Sequence, residues 1–269
     1  MRLERSLWAA LAGLLLAAGS AAPNTVIALS SGNPGTLYSL DPATGAASLF
    51  RTLNTFSSSV DIDFLNGKLY TTDVWSGSAY SFGTLDLSTG AFTPLNNQMG
   101  NSWMGLAAVP KENRLYAVSY DSNNLISLTP GGTATVVGYG LPYLADLAYD
   151  AVHDILYGVS NSTLYTINRS AGTAAALASL GVAGGSFSLG LAYDGSAGVL
   201  YLNNGNTGRL YRLDPATGTA TLLGDNGVAA VLDGLAVEPD TALAAGEADT
   251  ALLFGTGLAL VGSRRPLRR

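Results

Sequence analysis

The stretch Leu210–Gly224 reads LYRLDPATGTATLLG, and it decides the fold because the chain contains five variants of it. Each variant is a short apolar run, a polar turn that ends in Gly, and a second apolar run, a pattern that predicts two antiparallel strands joined by a tight turn. The other variants begin at Leu37, Tyr80, Leu125 and Leu164. Their turn glycines lie 40 to 46 residues apart. Short strands that repeat at this period are typical of the blades of a β-propeller.

The residues of the LDPATG turn suit their positions. The carboxylates of Asp41 and Asp214 are placed to accept hydrogen bonds from the backbone just downstream. Pro42 presets φ for a type I turn, and Gly45 supplies the positive φ that closes it. Because this geometry recurs in several copies, we expect these turns to be structural.

The segments between the turns align by residue type and predict four complete blades. Each begins with a short strand of small residues, such as GLAYD at Gly190, and continues with a strand such as LYLNN at Leu200. The predicted blades cover residues 61–97, 104–138, 145–181 and 189–224.

The two ends of the repeat region are each incomplete, and they complement each other. The first segment, from VIALS at Val26 to Phe50, lacks an innermost strand, whereas GLAVE at Gly234–Glu238 is an innermost strand alone. We predict that they form one composite blade, which closes the ring without an open edge. The expected fold class is therefore all-β, a five-bladed propeller of four-stranded antiparallel blades, with six blades as the alternative.

Aspartates interrupt the small-residue pattern of the innermost strands. These strands converge at the channel, and one column of small residues contains Ala107, Ala148, Ala192 and Ala236. Asp63 takes this position in its blade, and a buried carboxylate must be paired, hydrogen-bonded or bound to a metal. Asp61, Asp146 and Asp233 fall at the starts of inner strands, near the predicted channel rim. The four aspartates are candidates for holding Ca²⁺ through oxygen ligands, with a structural hydrogen-bond network as the alternative.

The composition excludes several kinds of partner and chemistry. Hydrophobic residues make up 48% of the chain and charged residues 12%, with a formal net charge of −6. An acidic protein of this kind argues against nucleic acid and anionic lipid as partners. The chain has no Cys, so neither disulfides nor thiolate chemistry contribute.

The two ends of the chain read as export signals. In residues 1–22, Arg2 and Arg5 precede the apolar run Leu7–Ala18 and a small-residue cleavage region, the pattern of a secretory signal peptide. That apolar run is too short to span a bilayer permanently. The propeller is expected at residues 23–240, and residues 241–269 are expected to form a linker, an apolar segment and a terminal arginine cluster.

The last 24 residues, GEADTALLFGTGLALVGSRRPLRR, resemble the PEP-CTERM sorting signal of Gram-negative bacteria. In that signal a Pro-Glu-Pro box precedes an apolar segment and basic residues that stay on the cytoplasmic side during export. Glu247 matches the box, whereas Gly246 and Ala248 stand in place of its prolines. The resemblance implies processing by an exosortase-type enzyme and a location in the periplasm, on the outer surface or in the extracellular matrix, often beside exopolysaccharide.

The repeats resemble those of exported bacterial β-propellers with LYxLDPATG-type repeats. Their style of repeat is similar to that of propellers of the NHL, quinoprotein-like and gluconolactonase groups. The resemblance covers residues 24–240, and it implies a fold without implying a reaction.

One face of the predicted propeller concentrates aromatic and polar residues. This upper face is built by the turns between second and third strands and by the links between blades. Aromatic rings with amide and carboxylate neighbours suit a sugar, because the rings cover its C–H face and the polar groups bind its hydroxyls. The predicted ligand-binding residues are Asp73, Trp75, Trp103, Tyr120, Asp121, Tyr143 and Asn204, with loop packing as the alternative reading.

Two functional hypotheses follow. The first is a non-enzymatic, surface-associated scaffold or binding module, with extracellular polysaccharide or another surface protein as partner. The second is a metal-dependent or glycoside hydrolase with carboxylates at the channel mouth, but Glu112 and Glu238 are predicted in turns on the opposite face. His153, the single histidine, also falls in a turn there without a predicted nucleophile. We therefore predict no enzymatic activity, no catalytic residues and no cofactor other than Ca²⁺.

Overall fold

The computed structural model describes residues 24–30, 32, 34–53, 61–75, 80–99, 102–182 and 188–238. These residues form twenty β-strands and one short 3-10 helix, Pro110–Glu112. The predicted signal peptide and C-terminal tail lie outside the described residues. Within the described part of the chain, no helix has the length and apolar character needed to cross a membrane.

The strands form five four-stranded antiparallel sheets. Blade 1 comprises, from the inside outward, β20 (Leu232–Val237), β1 (Val26–Ser30), β2 (Thr36–Leu40) and β3 (Ala47–Thr52). Blade 2 comprises β4 (Ile62–Leu65), β5 (Lys68–Trp75), β6 (Tyr80–Leu85) and β7 (Phe92–Met99). Blade 3 comprises β8 (Trp103–Val109), β9 (Arg114–Ser119), β10 (Leu125–Leu128) and β11 (Ala134–Gly138). Blade 4 comprises β12 (Asp146–Asp150), β13 (Ile155–Ser160), β14 (Thr163–Asn168) and β15 (Thr173–Ser179). Blade 5 comprises β16 (Leu189–Asp194), β17 (Val199–Asn204), β18 (Arg209–Leu213) and β19 (Ala220–Asp225).

The composite blade is present as predicted. The first strand, β1, lies between β2 and the last strand, β20, with Val26 opposite Leu40 on one side and Val237 on the other. Each inner strand contacts the next in the cyclic order β20, β4, β8, β12, β16 and back to β20. The molecule is therefore a closed five-bladed propeller, and the alternative of six blades is wrong.

The hydrophobic core lies between adjacent blades. Side chains alternate across each strand, so the apolar residues of one blade face those of its neighbour. Leu37 of blade 1 and Leu69 of blade 2 belong to one such cluster, in which Leu37 is fully buried. The predicted alanine column is buried throughout, with relative exposures of 0 to 4%.

The repeated turn also holds neighbouring blades together. The turn glycines have φ between 66° and 88°, as the sequence predicts. Each of them also packs against the outer strand of the preceding blade, where a Cβ atom on Gly172 would lie 2.5 Å from Cα of Gly138. The same contact joins blade 5 to blade 1, because a Cβ on Gly45 would lie 2.9 Å from the carbonyl oxygen of Gly224. Gly is therefore required at this position by contact as well as by φ.

Candidate functional site

A pair of tyrosines lies partly exposed on the upper face. Tyr120 lies in the turn between β9 and β10, and Tyr143 lies in the link from blade 3 to blade 4. Their rings meet edge to face, with centroids 5.4 Å apart and an angle of 80° between the planes. Tyr120 is 42% exposed, and Asp121 beside it is also exposed. We call Tyr120, Asp121 and Tyr143 the tyrosine patch.

The Tyr143 hydroxyl is held in place from below. It donates a hydrogen bond to Sδ of Met104 at 3.3 Å. Burial, together with a hydrogen bond to Tyr120 and the charge of Asp121, raises the pKa of Tyr143 well above its usual value. Tyr143 therefore stays neutral at physiological pH and remains a hydrogen-bond donor.

Two of the other residues predicted for the upper face, Trp103 and Asn204, do not form one surface with the tyrosine patch. Trp103 is only 6% exposed and packs in the core cluster between blades 2 and 3, with Phe82 and Leu106 among its members. Asn204 is fully buried, and its Oδ1 accepts hydrogen bonds from the backbone N–H of Asn206 at 3.1 Å and of Thr207 at 3.2 Å. Their roles are thus packing and turn capping. Asp73 and Trp75 fall in β5, and their side chains lie outside the described part of the structure.

Two of the predicted channel aspartates hydrogen-bond to each other inside the ring. Asp61 and Asp146 are each 1% exposed, so they lie within the channel and not at an open rim. Their side chains share a hydrogen bond. Asp61 also accepts a hydrogen bond from the N–H of Leu106 in blade 3, and Asp146 accepts one from Leu191 in blade 5. The pair therefore links blades 2, 3, 4 and 5.

The buried pair has to hold a proton. Burial raises the pKa of Asp61 well above the usual range, and the negative charge of Asp146 raises it further. Burial also raises the pKa of Asp146. Two adjacent carboxylates without a cation cannot both be ionised at low cost, so one of them serves as the hydrogen-bond donor to the other.

Asp63 makes a parallel link one pleat further along the channel. Its Oδ1 accepts a hydrogen bond from its own neighbour Phe64 at 2.7 Å, and its Oδ2 accepts one from Ala108 of blade 3 at 2.6 Å. Burial raises the pKa of Asp63 to about 7. Asp61, Asp63 and Asp146 thus take part in structural hydrogen bonds, the alternative to a metal site that the sequence left open.

Asp233 is placed differently from the other channel aspartates. It occupies a β-bulge in β20, since Gly234 pairs with Leu29 and Leu232 pairs with Ser30. Gly234 therefore holds the position that corresponds to Asp61 and Asp146, and Asp233 is one residue out of step. Within the residues that the structure describes, no group of three or more His, Cys, Asp or Glu side chains is arranged to hold a metal ion.

The lower face, on the side of the first-to-second-strand turns, carries an ion-pair network between blades 3 and 4. Arg169 binds Glu112 of blade 3 through Nε at 3.0 Å, pairs with Asp154, and stacks over the Tyr149 ring at 5.0 Å. His153 lies in the same turn as Asp154, 65% exposed, with its Nδ1 2.7 Å from Asp150. Arg169 was not predicted from the sequence, because nothing in the turn around it distinguishes it from any other polar turn.

The comparisons with known proteins support the fold and give no information on function. No protein-family model and no curated protein matches the chain. A solved structure that does match is a chain in the crystal structure of a nidogen/laminin complex. The TM-score is 0.54 and the sequence identity 15%, and the match covers 80% of this chain and 98% of that chain. At this identity the likeness establishes a shared β-propeller fold alone.

Proposed function

We propose that this protein is an exported, non-enzymatic β-propeller that acts as a binding module at the cell surface, with extracellular polysaccharide as its ligand. The tyrosine patch is the observation that carries this proposal. It offers one half-exposed ring, a second ring packed edge to face against it, and one exposed carboxylate acceptor within a single surface. Carbohydrate chains bind to such combinations, because the ring covers C–H groups while the polar groups bind hydroxyls.

Two further observations support a binding role. The matched chain comes from the crystal structure of a protein complex, so a propeller of this fold occurs in a protein that binds a partner. The structure describes a rigid scaffold on which the patch is fixed, since Tyr143 packs against the blade 3 and blade 4 core cluster. A fixed aromatic surface binds with little loss of conformational entropy. Another surface protein is the alternative partner for the same patch.

A glycan array of bacterial and plant polysaccharides tests the proposal. We expect the purified protein to bind at least one polysaccharide, and Tyr120→Ala to weaken that binding by about tenfold, as loss of a ring contact does. Phe50→Ala is the matched control, since Phe50 is 40% exposed on the outer strand of blade 1. Absence of binding to every polysaccharide, or full binding by Tyr120→Ala, would contradict the proposal.

Export and tail processing belong to the same proposal and rest on the sequence of the two ends. We expect an exosortase-type enzyme to act near Glu247 after the signal peptide has been removed. Mass spectrometry of the protein isolated from a Gram-negative host measures both ends directly. Recovery of the uncleaved chain from the cytoplasm would contradict this part.

The alternative, a hydrolase at the channel, has one observation in its favour. Asp63 lines a cavity on the channel axis and has a pKa of about 7, a value suited to general acid–base catalysis. Against it, Asp61 and Asp146 are buried and hydrogen-bonded to each other and to backbone. Under our proposal, excess Ca²⁺ leaves the melting temperature unchanged, whereas a Ca²⁺-dependent enzyme would be stabilised by its metal.

A further inference from the structure

A cavity of about 170 Å³ lies on the propeller axis. Every blade contributes to its wall, from Asp63 and Phe64 of β4 to Leu235 and Val237 of β20. The wall residues Pro110, Ala151 and Gly195 belong to first-to-second-strand turns and are exposed. The cavity therefore opens on the lower face, opposite the tyrosine patch.

The wall of this axial cavity is apolar apart from one carboxylate. Its aliphatic lining consists of Ala108, Leu147, Ala148, Leu191, Ala192, Leu235 and Val237. Two tyrosines complete the wall, and their hydroxyls are engaged elsewhere: Tyr149 donates to Asp154 at 2.8 Å, and Tyr193 hydrogen-bonds to Asp150. Among the described residues that line the cavity, Asp63 alone carries a group that ionises near neutral pH.

The Asp63 carboxylate has acceptor capacity left. Each of its oxygens accepts one backbone N–H, whereas a carboxylate accepts about four hydrogen bonds in all. Asp63 also lies near enough to Asp146 of β12, in blade 4, for its charge to raise the pKa of Asp146, so the ionised group within its reach is acidic as well. No Lys, Arg or His is found among the residues described as lining the cavity. The ionised carboxylate thus has no cationic partner among the described residues that line the cavity.

We propose that the axial cavity is a binding site for a small organic cation, a primary ammonium with a short aliphatic body. The ammonium group donates its hydrogen bonds to Asp63, and the carbon chain packs against the alanines and leucines of the wall. The apolar lining favours this ligand over a metal ion, which needs several oxygen ligands at once. The cavity is smaller than sites for drug-sized ligands, so a ligand of a few carbon atoms matches it. This site is independent of the tyrosine patch.

Binding of the cation is coupled to the charge on Asp63. Its carboxyl group titrates with a pKa of about 7 because of burial, and only the ionised form attracts an ammonium ion. The primary ammonium itself stays charged up to a far higher pH. Affinity is therefore expected to rise about tenfold between pH 6 and pH 8, as the ionised fraction of Asp63 rises.

Ligand-observed NMR titration of the full chain with n-butylammonium chloride tests the site. We expect millimolar binding, as befits a ligand of five heavy atoms, with about tenfold tighter binding at pH 8 than at pH 6. Asp63→Asn should abolish the pH dependence and weaken the binding at least tenfold. Asp225→Asn, which changes an exposed carboxylate at the end of β19, is the matched control and should leave binding unchanged. The neutral analogue n-butanol should bind weakly and without pH dependence.

A second variant keeps the test decisive if Asp63→Asn does not fold. Ala192→Val narrows the cavity without touching the carboxylate, and it should weaken n-butylammonium binding while the thermal unfolding curve shows a folded protein. Three results would overturn the proposal: no binding of n-butylammonium to the wild type, equal binding by these variants, or displacement of n-butylammonium by millimolar CaCl₂.

Discussion

Two carboxyl groups that hydrogen-bond to each other, as Asp61 and Asp146 do, must hold a proton between them. The pair is 1% exposed, and each member also accepts a hydrogen bond from the backbone of the next blade. The proton shared by Asp61 and Asp146 therefore helps to join four blades, and the stability of the protein depends on keeping it.

The first prediction concerns pH. Burial raises the pKa values of Asp61, Asp63 and Asp146 above the ordinary value of 3.8. The folded state therefore binds more protons than the unfolded state above pH 4, and the free energy of unfolding falls as pH rises from about 4 through 7. We expect the melting temperature to decrease between pH 5 and pH 8, measured by circular dichroism. Asp61→Asn should flatten this decrease, because an amide donates a hydrogen bond at every pH.

The exposed carboxylates provide the control for this prediction. Asp41 and Asp86 have pKa values lowered by hydrogen bonds from side-chain hydroxyls and the backbone of their own turns, so their contribution is lost only in acid, below the pH range tested. Asp41→Asn should therefore leave the slope of the melting temperature between pH 5 and pH 8 unchanged. A wild-type melting temperature that stays constant or rises between pH 5 and pH 8 would show that the channel carboxylates do not share protons.

At the level of single residues, the sequence predicted the role of some site candidates and not of others. Asp63 stood out because it broke a column of alanines, and its hydrogen-bonded role agrees with one of the readings that the sequence allowed. Trp103 and Asn204 have the residue types of a sugar site, yet both are buried. A turn residue and a ligand contact have the same polar character in the sequence, and only packing distinguishes them.

At the scale of elements, the repeated turn does more than reverse the chain. The sequence predicts its positive φ from the Gly residue, but the approach of each turn to the preceding blade depends on the tertiary structure. Gly172 shows the consequence most clearly, because a Cβ there would lie 2.5 Å from Gly138. Neither partner of this contact can move easily, since both are backbone.

The second prediction separates this contact from the cost of positive φ. Gly198 has φ 64°, close to the 66° of Gly172, but a Cβ on Gly198 would meet no atom within 4 Å. We expect Gly198→Ala to destabilise the protein by about 1 kcal/mol, the cost of left-handed backbone for Ala. Gly172→Ala should cost about 1–3 kcal/mol more, as overpacking does. Urea unfolding measures both.

Equal destabilisation by the two glycine variants would contradict the interlocking of blades through their turns. In that case positive φ alone would explain why Gly recurs in the five copies. A third variant, Gly218→Ala, probes the same contact at the blade 4–5 boundary, where a Cβ would lie 2.4 Å from Cβ of Ala178. It should cost about as much as Gly172→Ala, because the Cβ of Ala178 is fixed to the backbone and cannot rotate away.

At the scale of the whole molecule, the repeat period and the incomplete ends were enough to predict the ring. The two end segments are complementary in strand type, and the structure pairs them in one antiparallel register from Val26–Val237 to Leu29–Gly234. The ligand could not be predicted in the same way, because a propeller fold accepts many surfaces without change to its core.

The central claim is that β20 completes the sheet that begins with β1, and a pair of cysteines tests it most directly. The chain has no Cys, so Val26→Cys with Val237→Cys introduces the only two thiols. These positions are directly opposite in adjacent strands, where Cα separations suit a disulfide. The control is Val26→Cys with Val159→Cys, since Val159 lies in blade 4.

We predict that the Val26–Val237 variant, refolded under oxidising conditions, forms an intramolecular disulfide in nearly every molecule. Mass spectrometry detects it as the loss of two hydrogens, and the melting temperature rises because the closed loop spans the whole ring. The control pair should remain as free thiols. Free thiols in the Val26–Val237 variant, with the protein otherwise folded, would contradict ring closure.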